Sequence, residues 1–285
     1  MPELPEVETM RRGIRSIVGC VVEEVVWPKC KLKPIEITPG PRSFRRRVLG
    51  REVHGLDRLG KRVLVRFNGG ENIVFEPRMT GLLLLADPPD SEHLRFCLKL
   101  RGSEPCLWFW DRRGLGSVRC LNQSELKERF GPEKLGPDAL VVTPLELKER
   151  LGTSTRAVKV ALLDQRAVAG IGNLYASEIL HVAGIHPDKQ CNRLSLDGWK
   201  AIQHAVEYVL REAIHYEGST LADGTYRNAL NQNGSYQNHH RVYNRHGKSC
   251  PRCRDTKIRR IVQAQRSTFF CPGCQKKRVG RRTPT

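Results

Sequence analysis

The sequence predicts an α+β multidomain protein: an N-terminal helix, an antiparallel β sandwich or barrel, a helical domain and a four-cysteine hairpin at the C-terminal end. Three observations predict it. Strand-like runs fill residues 20–120, helical periodicity takes over from Ser124, and the last four cysteines fall as Cys250-x2-Cys253 and Cys271-x2-Cys274. A chain of 285 residues suggests two domains of ordinary size, because single cores stop growing at roughly 250–300 residues. Hydrophobic residues at 39% and charged residues at 28% make a globular composition rather than a disordered one.

The first helix follows from apolar side chains at helical spacing between Val7 and Val18. Glu3, Glu6 and Glu8 bring negative charge to its first turn, where the helix dipole is positive. The strands are the runs VVEEVVW, RVLVRF, NIVFE, GLLLLA, LRFCLKL and CLWFW, broken by turn clusters such as NGGEN and RGSEP. The helices are SELKERF, TPLELKERL, RAVKVALLDQ, LYASEILHVAG and LDGWKAIQHAVEYVLREAIHY, with starts at Thr143-Pro144 and Ser195-Leu196-Asp197. From Glu217 to His240 the chain is polar and rich in Gly, Asn and Gln, which predicts a mobile loop. The expected domains are residues 1–123, 124–240 and 241–285.

Charge narrows the partner. Lys and Arg number 49 against 30 Asp and Glu, a formal net charge of +19. Residues 241–285 hold 14 Lys and Arg and one acid, Asp255, so two-thirds of the excess lies in that stretch. Such a block suits a polyanion, either nucleic acid or an anionic membrane surface. The longest apolar run, Leu82 to Ala86, is too short to span a bilayer. The N-terminus MPELPEVETMRR has no apolar core of a signal peptide, so a cytoplasmic location is expected, with cysteines reduced or metal-bound.

The last four cysteines have the paired-knuckle spacing of a tetrahedral zinc site, and IRRIVQAQRSTFF between them reads as the two strands of a hairpin. A module this small buries too little apolar surface to fold alone, so one structural zinc ion on Cys250, Cys253, Cys271 and Cys274 would supply the folding free energy. Cys20, Cys30, Cys97, Cys106, Cys120 and Cys191 lack ligand spacing and are expected to be plain thiols.

Met1 precedes a small residue and is open to trimming, which would expose Pro2 as a secondary amine with a pKa of about 8. Such an amine attacks a carbonyl-like carbon to give an iminium, with Glu3 beside it as acid/base partner. Gly170-Ile171-Gly172-Asn173 ahead of LYASEIL lets backbone approach a phosphate, and the N–H groups of the following helix attract an anion.

MPELPEVETMRRGI resembles the N-terminus of the formamidopyrimidine-DNA glycosylases, bacterial-type enzymes that excise oxidised purines. The resemblance recurs at RLGKRVLV, AVAGIGNLYASE with AGIHPD, VYNRHG and AQRSTFFCPGCQK, from end to end and in the family's order. It implies that the helical domain is a helix-two-turn-helix and the hairpin a zinc finger. It also implies damaged double-stranded DNA as partner, with no membrane and no small-molecule cofactor, and a monomer that meets its substrate on the nucleoid.

The resemblance implies a role for each matching residue. Pro2 would be the nucleophile and Glu3 the general acid that helps open the sugar ring. Lys61 would contact phosphate and donate a proton in β-elimination, and Arg266 would grip the lesion's phosphates and assist δ-elimination. Lys159, Asn173, Tyr243 and Arg260 would be DNA contacts, and His93 matches a DNA-contact region. Met79 and Arg113 match the family's wedge, which fills the hole left by the extruded base.

The sequence also departs from the family. Leu115 stands where the wedge has Phe, and leucine inserts between bases but stacks less well. Glu76 replaces a phosphate-contacting His, where a carboxylate is expected to repel phosphate, and Arg78 replaces a Gly and could take over that contact. Ala222 replaces a Lys, and residues 224–238 diverge from the lesion-covering loop. Two other readings stand beside this one. The sister endonuclease VIII type acts on oxidised pyrimidines but typically begins PEGPE, so Leu4 and Val7 favour the purine enzymes. A catalytically silent zinc-ribbon binding protein would have no need of Pro2, Glu3 and Lys61 together.

Overall fold

The computed structural model describes residues 2–221, 224 and 226–277. Met1, Ala222 and the end of the basic tail from residue 278 lie outside the described residues. The chain divides into two units. The first comprises Met1–Leu135 and Glu212–Asn238, the second Gly136–Arg211 and His239–Thr285. Among the described residues no helix is long and apolar enough to cross a membrane.

The first unit opens with helix α1 (Leu4–Gly13), capped at Glu3. Glu6, at its third position, reaches back to accept the Glu3 backbone N–H at 2.9 Å, satisfying a donor that the helix leaves open. The helix stops at Gly13, earlier than periodicity suggests, and a 3-10 turn at Arg15–Ile17, flanked by Ile14 and Val18, continues the segment. Leu4, Val7, Met10, Ile14 and Ile17 have no exposed surface, so the predicted apolar stripe is the core face as far as Ile17, while Val18 is exposed.

Two sheets follow. One holds β1 (Val21–Val26), β6 (Gly81–Leu84), β7 (Leu94–Arg101) and β8 (Cys106–Asp111), in the order β1-β7-β8-β6. The other holds β2 (Glu36–Thr38), β3 (Val53–Leu59), β4 (Arg62–Phe67), β5 (Asn72–Glu76) and β9 (Ser117–Leu121), in the order β2-β9-β5-β4-β3. Every pairing is antiparallel except β2 with β9, which is parallel. The sheets share one core, where Phe44, Phe75, Phe96 and Phe109 pack at ring separations of 5.3–5.8 Å. Phe44 comes from α2 (Pro41–Val48), a helix that no sequence pattern announced. Helix α3 (Gln123–Phe130) closes the N-terminal part of the unit.

The second unit contains α4 (Pro144–Leu151), α5 (Val158–Ala161), α6 (Asn173–Val182), most of α7 (Leu196–His215), and the hairpin β10 (Arg259–Gln263) and β11 (Arg266–Phe270). Both predicted helix starts are built as expected. Thr143 Oγ1 accepts from Glu146 N at 3.2 Å, and Ser195 Oγ accepts from Gly198 N at 3.2 Å. Helix α5 covers only part of RAVKVALLDQ.

Candidate active and DNA-contact residues

Pro2, Glu3, Lys61, Met79, His93 and Arg113 fall in the first unit; Lys159, Asn173, Tyr243, Arg260, Arg266 and the four cysteines fall in the second. Pro2 and Glu3 are buried at the head of α1. This end of the helix is anchored at several points. Glu6 Oε1 accepts from Ser219 N at 2.9 Å, and the buried Tyr226 hydroxyl reaches the Glu6 carbonyl at 3.4 Å. Lys61 sits in the two-residue turn joining β3 to β4. That turn is tied to α1, because Arg58 donates to Glu8 Oε2 at 3.2 Å and to the Gly60 carbonyl at 3.0 Å.

Glu8 is the hub of that tie. It also accepts from Arg11 at 2.8 Å and Arg12 at 2.7 Å. Burial pushes its carboxyl up, but the hydrogen bonds from Arg11 and Arg12, with the charge of Arg58, outweigh this and hold it at about 2. The acid expected merely to complement the helix dipole therefore fixes the Lys61 turn against the helix that follows Pro2 and Glu3.

The wedge candidates occupy two loops that the structure joins. Met79 lies in the β5–β6 turn, and Arg113 and Leu115 in the β8–β9 loop. Asp111, fully buried at the end of β8, accepts from the Thr80 hydroxyl, from Arg113 N at 3.2 Å and from Gly116 N at 2.7 Å. Thr80 in turn accepts from Arg113 N at 2.9 Å. Gly114 adopts φ +59, and a Cβ there would meet the Lys33 carbonyl at 2.7 Å, so only glycine fits between Arg113 and Leu115. Leu115 is 39% exposed, an apolar side chain left in water as a wedge requires. His93 stands behind this loop: its carbonyl accepts Asp111 N at 2.9 Å, its Nδ1 lies 2.8 Å from Asp90, and its ring packs on Trp110.

In the second unit the Gly170–Gly172 turn is braced by Gln165, which accepts from Gly170 N at 3.0 Å and donates to the Ile171 carbonyl at 2.8 Å. Gly170 has φ +111, which explains the glycine. Asn173 opens α6 directly after it. Its Oδ1 accepts from Lys159 Nζ at 2.5 Å, and its Nδ2 donates to the Ser267 carbonyl of β11 at 3.0 Å. Lys159 has no exposed surface, so the residue expected at a phosphate is instead the one that holds Asn173.

The hairpin presents Arg260 and Arg266, both exposed, with Arg260 Nε donating to Ser267 Oγ at 2.9 Å. Its turn, Ala264-Gln265, has positive φ at both residues (45° and 59°), a conformation normally given to Asn or Gly. Strained turns of this kind cluster at functional sites. Gln263 docks the hairpin on Asp188 at 2.7 Å, and Gln275, fully buried, bridges Cys271 N at 2.8 Å to the Ile185 carbonyl at 2.9 Å. Tyr243 packs edge-on against Phe269, and its backbone N–H is one of three, with those of Arg241 and Val242, that the fully buried Glu178 accepts at 2.8–2.9 Å.

The four cysteine sulfurs lie within 4.8 Å of one another. Cys250 Sγ is 3.8 Å from Cys274 Sγ, and Cys253 Sγ is 3.6 Å from Cys271 Sγ. Zinc–sulfur bonds of about 2.3 Å in a tetrahedron demand sulfurs about 3.8 Å apart. The residues fit one structural zinc ion, and no disulfide joins any of them. His181 Nε2 lies 3.3 Å from Cys250 Sγ, a buried contact behind the first knuckle of the kind that orients a metal ligand.

Asp111, Thr80, Glu178, Gln165, Gln275 and His181 were not picked out by sequence reasoning. Asp111 did carry a signal, as an acid placed directly after the buried strand CLWFW. Glu178 carried one too, as the acid in an otherwise apolar stretch of α6.

Residues 1–118 match the profile of the Formamidopyrimidine-DNA glycosylase N-terminal domain, 132–224 that of the Formamidopyrimidine-DNA glycosylase H2TH domain, and 247–277 that of the Zinc finger found in FPG and IleRS. The chain is 42% identical to the formamidopyrimidine-DNA glycosylase of Chloroflexus aggregans, over 96% of this chain and 98% of that one. With that of Bacillus subtilis it shares 35% identity over 98% and 100%. Among solved structures, it resembles the MutM (FPG) protein of Thermus thermophilus with a TM-score of 0.83 at 35% identity, covering 96% of this chain and 98% of that one. It also resembles the Lactococcus lactis Fpg in complex with DNA containing an abasic site, with a TM-score of 0.84 at 30% identity over 96% and 100%.

Proposed function

Because the chain belongs to the formamidopyrimidine-DNA glycosylase family, we propose that it is a bifunctional DNA glycosylase and AP lyase that removes oxidised purines from duplex DNA in base excision repair. The observation that carries this reading is the head of α1, where the buried Glu3 next to Pro2 is held by Glu6 and the Lys61 turn is tied to Glu8 through Arg58. A secondary amine with a pKa of about 8 keeps a neutral fraction at physiological pH and can attack C1′ of the damaged nucleotide. The glycosidic bond breaks, the base departs with a proton, and Glu3 protonates the ring oxygen as the sugar opens to an iminium. Loss of a C2′ proton then expels the 3′ phosphate, with Lys61 supplying the proton that this step needs. Arg266 neutralises the phosphates as the second elimination expels the 5′ phosphate. The product is a one-nucleotide gap.

Met79, Arg113 and Leu115 act as the wedge that replaces the extruded base. Asn173, oriented by Lys159, and Arg260, with Tyr243 packed behind on Phe269, hold the backbone, and His93 supports the wedge loop from behind. The zinc ion gives the hairpin its rigidity and takes no part in bond breaking. Every proposed group comes from one chain, which suits a monomer. The bacterial relatives suit a cytoplasmic enzyme that meets its substrate on the nucleoid.

Incision of duplexes carrying one 8-oxoguanine or one oxidised pyrimidine, run side by side, tests this reading. The expected result is faster cleavage of the purine lesion, leaving phosphate on both ends of the gap. Preference for the pyrimidine would place the chain with the endonuclease VIII type. Binding without incision of either would leave only a DNA-binding protein.

A further inference from the structure

Glu76, the carboxylate expected to repel phosphate, ends β5 and is 9% exposed. Three guanidinium groups converge on it. Arg62 Nη2 donates to its Oε1 at 3.1 Å and Arg119 Nη1 to its Oε2 at 3.3 Å, and Arg78 Nε forms an ion pair with Oε1 at 3.0 Å. Two of these arginines are committed inward. Arg119 is buried and also bound to Glu36 at 2.6 Å, and the Arg62 guanidinium lies 4.9 Å from the Phe130 ring centroid.

Arg78 differs. Its side chain is 57% exposed, and its Nε is paired with Glu76 at 3.0 Å. Among the described residues neither of its terminal nitrogens has a protein partner. Its backbone is left-handed, at φ +55, a conformation that a residue with a long side chain adopts only under constraint. It sits one residue before Met79, at the rim of a cavity of 370 Å³ lined by Lys33, Glu36, Arg78, Leu115, Ser117 and Arg119, among others. The charged lining is three cations against one anion.

We infer that this cavity is a phosphate site for the duplex backbone, in which Arg78 is the contact residue and Glu76 the positioning residue that sets the Arg78 fork before DNA arrives. The inference rests on the DNA-repair reading. The carboxylate does not repel the phosphate, because three guanidinium groups leave the cluster with net positive charge. Its ion pair with Nε leaves the two terminal nitrogens of Arg78 for a phosphate, the geometry in which arginine binds phosphate best. Holding a flexible side chain in its bound conformation lowers the ordering cost of binding.

Fluorescence anisotropy with a duplex carrying a non-cleavable tetrahydrofuran abasic analogue, measured across a salt series, tests it. The variants are R78A, R78K and E76Q, with R211A on the exposed face of α7 as control, and each melting temperature is recorded. R78A is expected to weaken binding about tenfold and to lower the slope of log affinity against log salt by about 1, the loss of one phosphate contact. R78K is expected to restore the slope but not the full affinity, since an ammonium is a point charge without the fork. E76Q is expected to keep the slope and lose several-fold in affinity. Wild-type slope and affinity in R78A would overturn the phosphate contact, and wild-type affinity in E76Q would overturn the positioning role. If the unaltered protein bound no duplex at all, the DNA-repair reading would fail with it.

Discussion

Replacing Asp111 by Asn is expected to destabilise the first unit by about 3 kcal/mol while changing the side chain by a single group. Asp111 is fully buried, and its two oxygens accept from Thr80, Arg113 N and Gly116 N. Asparagine keeps one oxygen. If that oxygen stays with Thr80 and Arg113, the new NH2 faces the Gly116 N–H, donor against donor. One hydrogen bond to a charged group is lost, worth about 1.5–3 kcal/mol, and a buried N–H is left unsatisfied, costing about 1–3 kcal/mol; the two overlap, giving the net figure. The loop from Arg113 to Gly116 is pinned at both ends by this carboxylate, so Arg113 and Leu115 lose their register as well. Urea unfolding followed by tryptophan fluorescence suits the measurement, because Trp27, Trp108 and Trp110 all lie in the first unit. The expected result is a lower midpoint with an unchanged slope, together with weaker binding of lesion duplex. Stability within about 0.5 kcal/mol of wild type, the margin of an unremarkable surface change, would refute the reasoning.

Two further predictions concern acid and metal. Glu8 is held at about 2 in the folded chain against an ordinary 4.5. A depressed folded value means that its stabilising contribution is complete above pH 4.5 and is lost as pH falls towards 2. A shift of this size corresponds to roughly 3 kcal/mol, which screening at the solvent-exposed Arg12 reduces to about 1–2 kcal/mol. Thermal melts of wild type and Glu8→Gln should therefore differ clearly at pH 7 and by less than half as much at pH 3; a constant gap would show that Glu8 acts by packing alone. Cys271→Ser should release zinc and lose most affinity for DNA, read by metal analysis of the purified protein and by anisotropy, whereas retained zinc with normal binding would remove the hairpin from the DNA contact.

Six strands of the first unit, β1 and β4 to β8, were legible because apolar residues recur in short runs between turns, and the zinc site because four cysteines carry their spacing in the sequence; β3 (VHGLDRL) and β9 (SVRCL), with polar residues breaking their apolar runs, were not. Helix α2 was not legible: PRSFRRRV offers only Phe44 and Val48 to a core, too few to set a period. The parallel strand β2 was equally hidden, since three residues set no period and the partner β9 is far away in sequence. RAVKVALLDQ reads as a full helix, yet the chain turns after Ala161 to reach the Gln165 brace on the glycine turn. Candidate site residues were readable where a local motif carries them, as at Pro2-Glu3 and Gly170 to Asn173. Their supports were not, because Asp111 with Thr80, Glu76 with Arg119 and Glu178 with Val242 pair across long stretches of chain. Glu76 shows the consequence: read beside its neighbours it is a charge facing phosphate, and read with its long-range partners it is the clamp on Arg78.

The central claim is that the Pro2 nitrogen forms the bond to the sugar. Its most direct test is borohydride trapping of protein lacking Met1 with an 8-oxoguanine duplex, followed by mass spectrometry of the N-terminal peptide. The account predicts a covalent adduct on Pro2 and none in Pro2→Gly carrying a blocked amine. An unblocked Pro2 that incises the duplex yet gives no adduct, or an adduct mapped to a lysine, would contradict it.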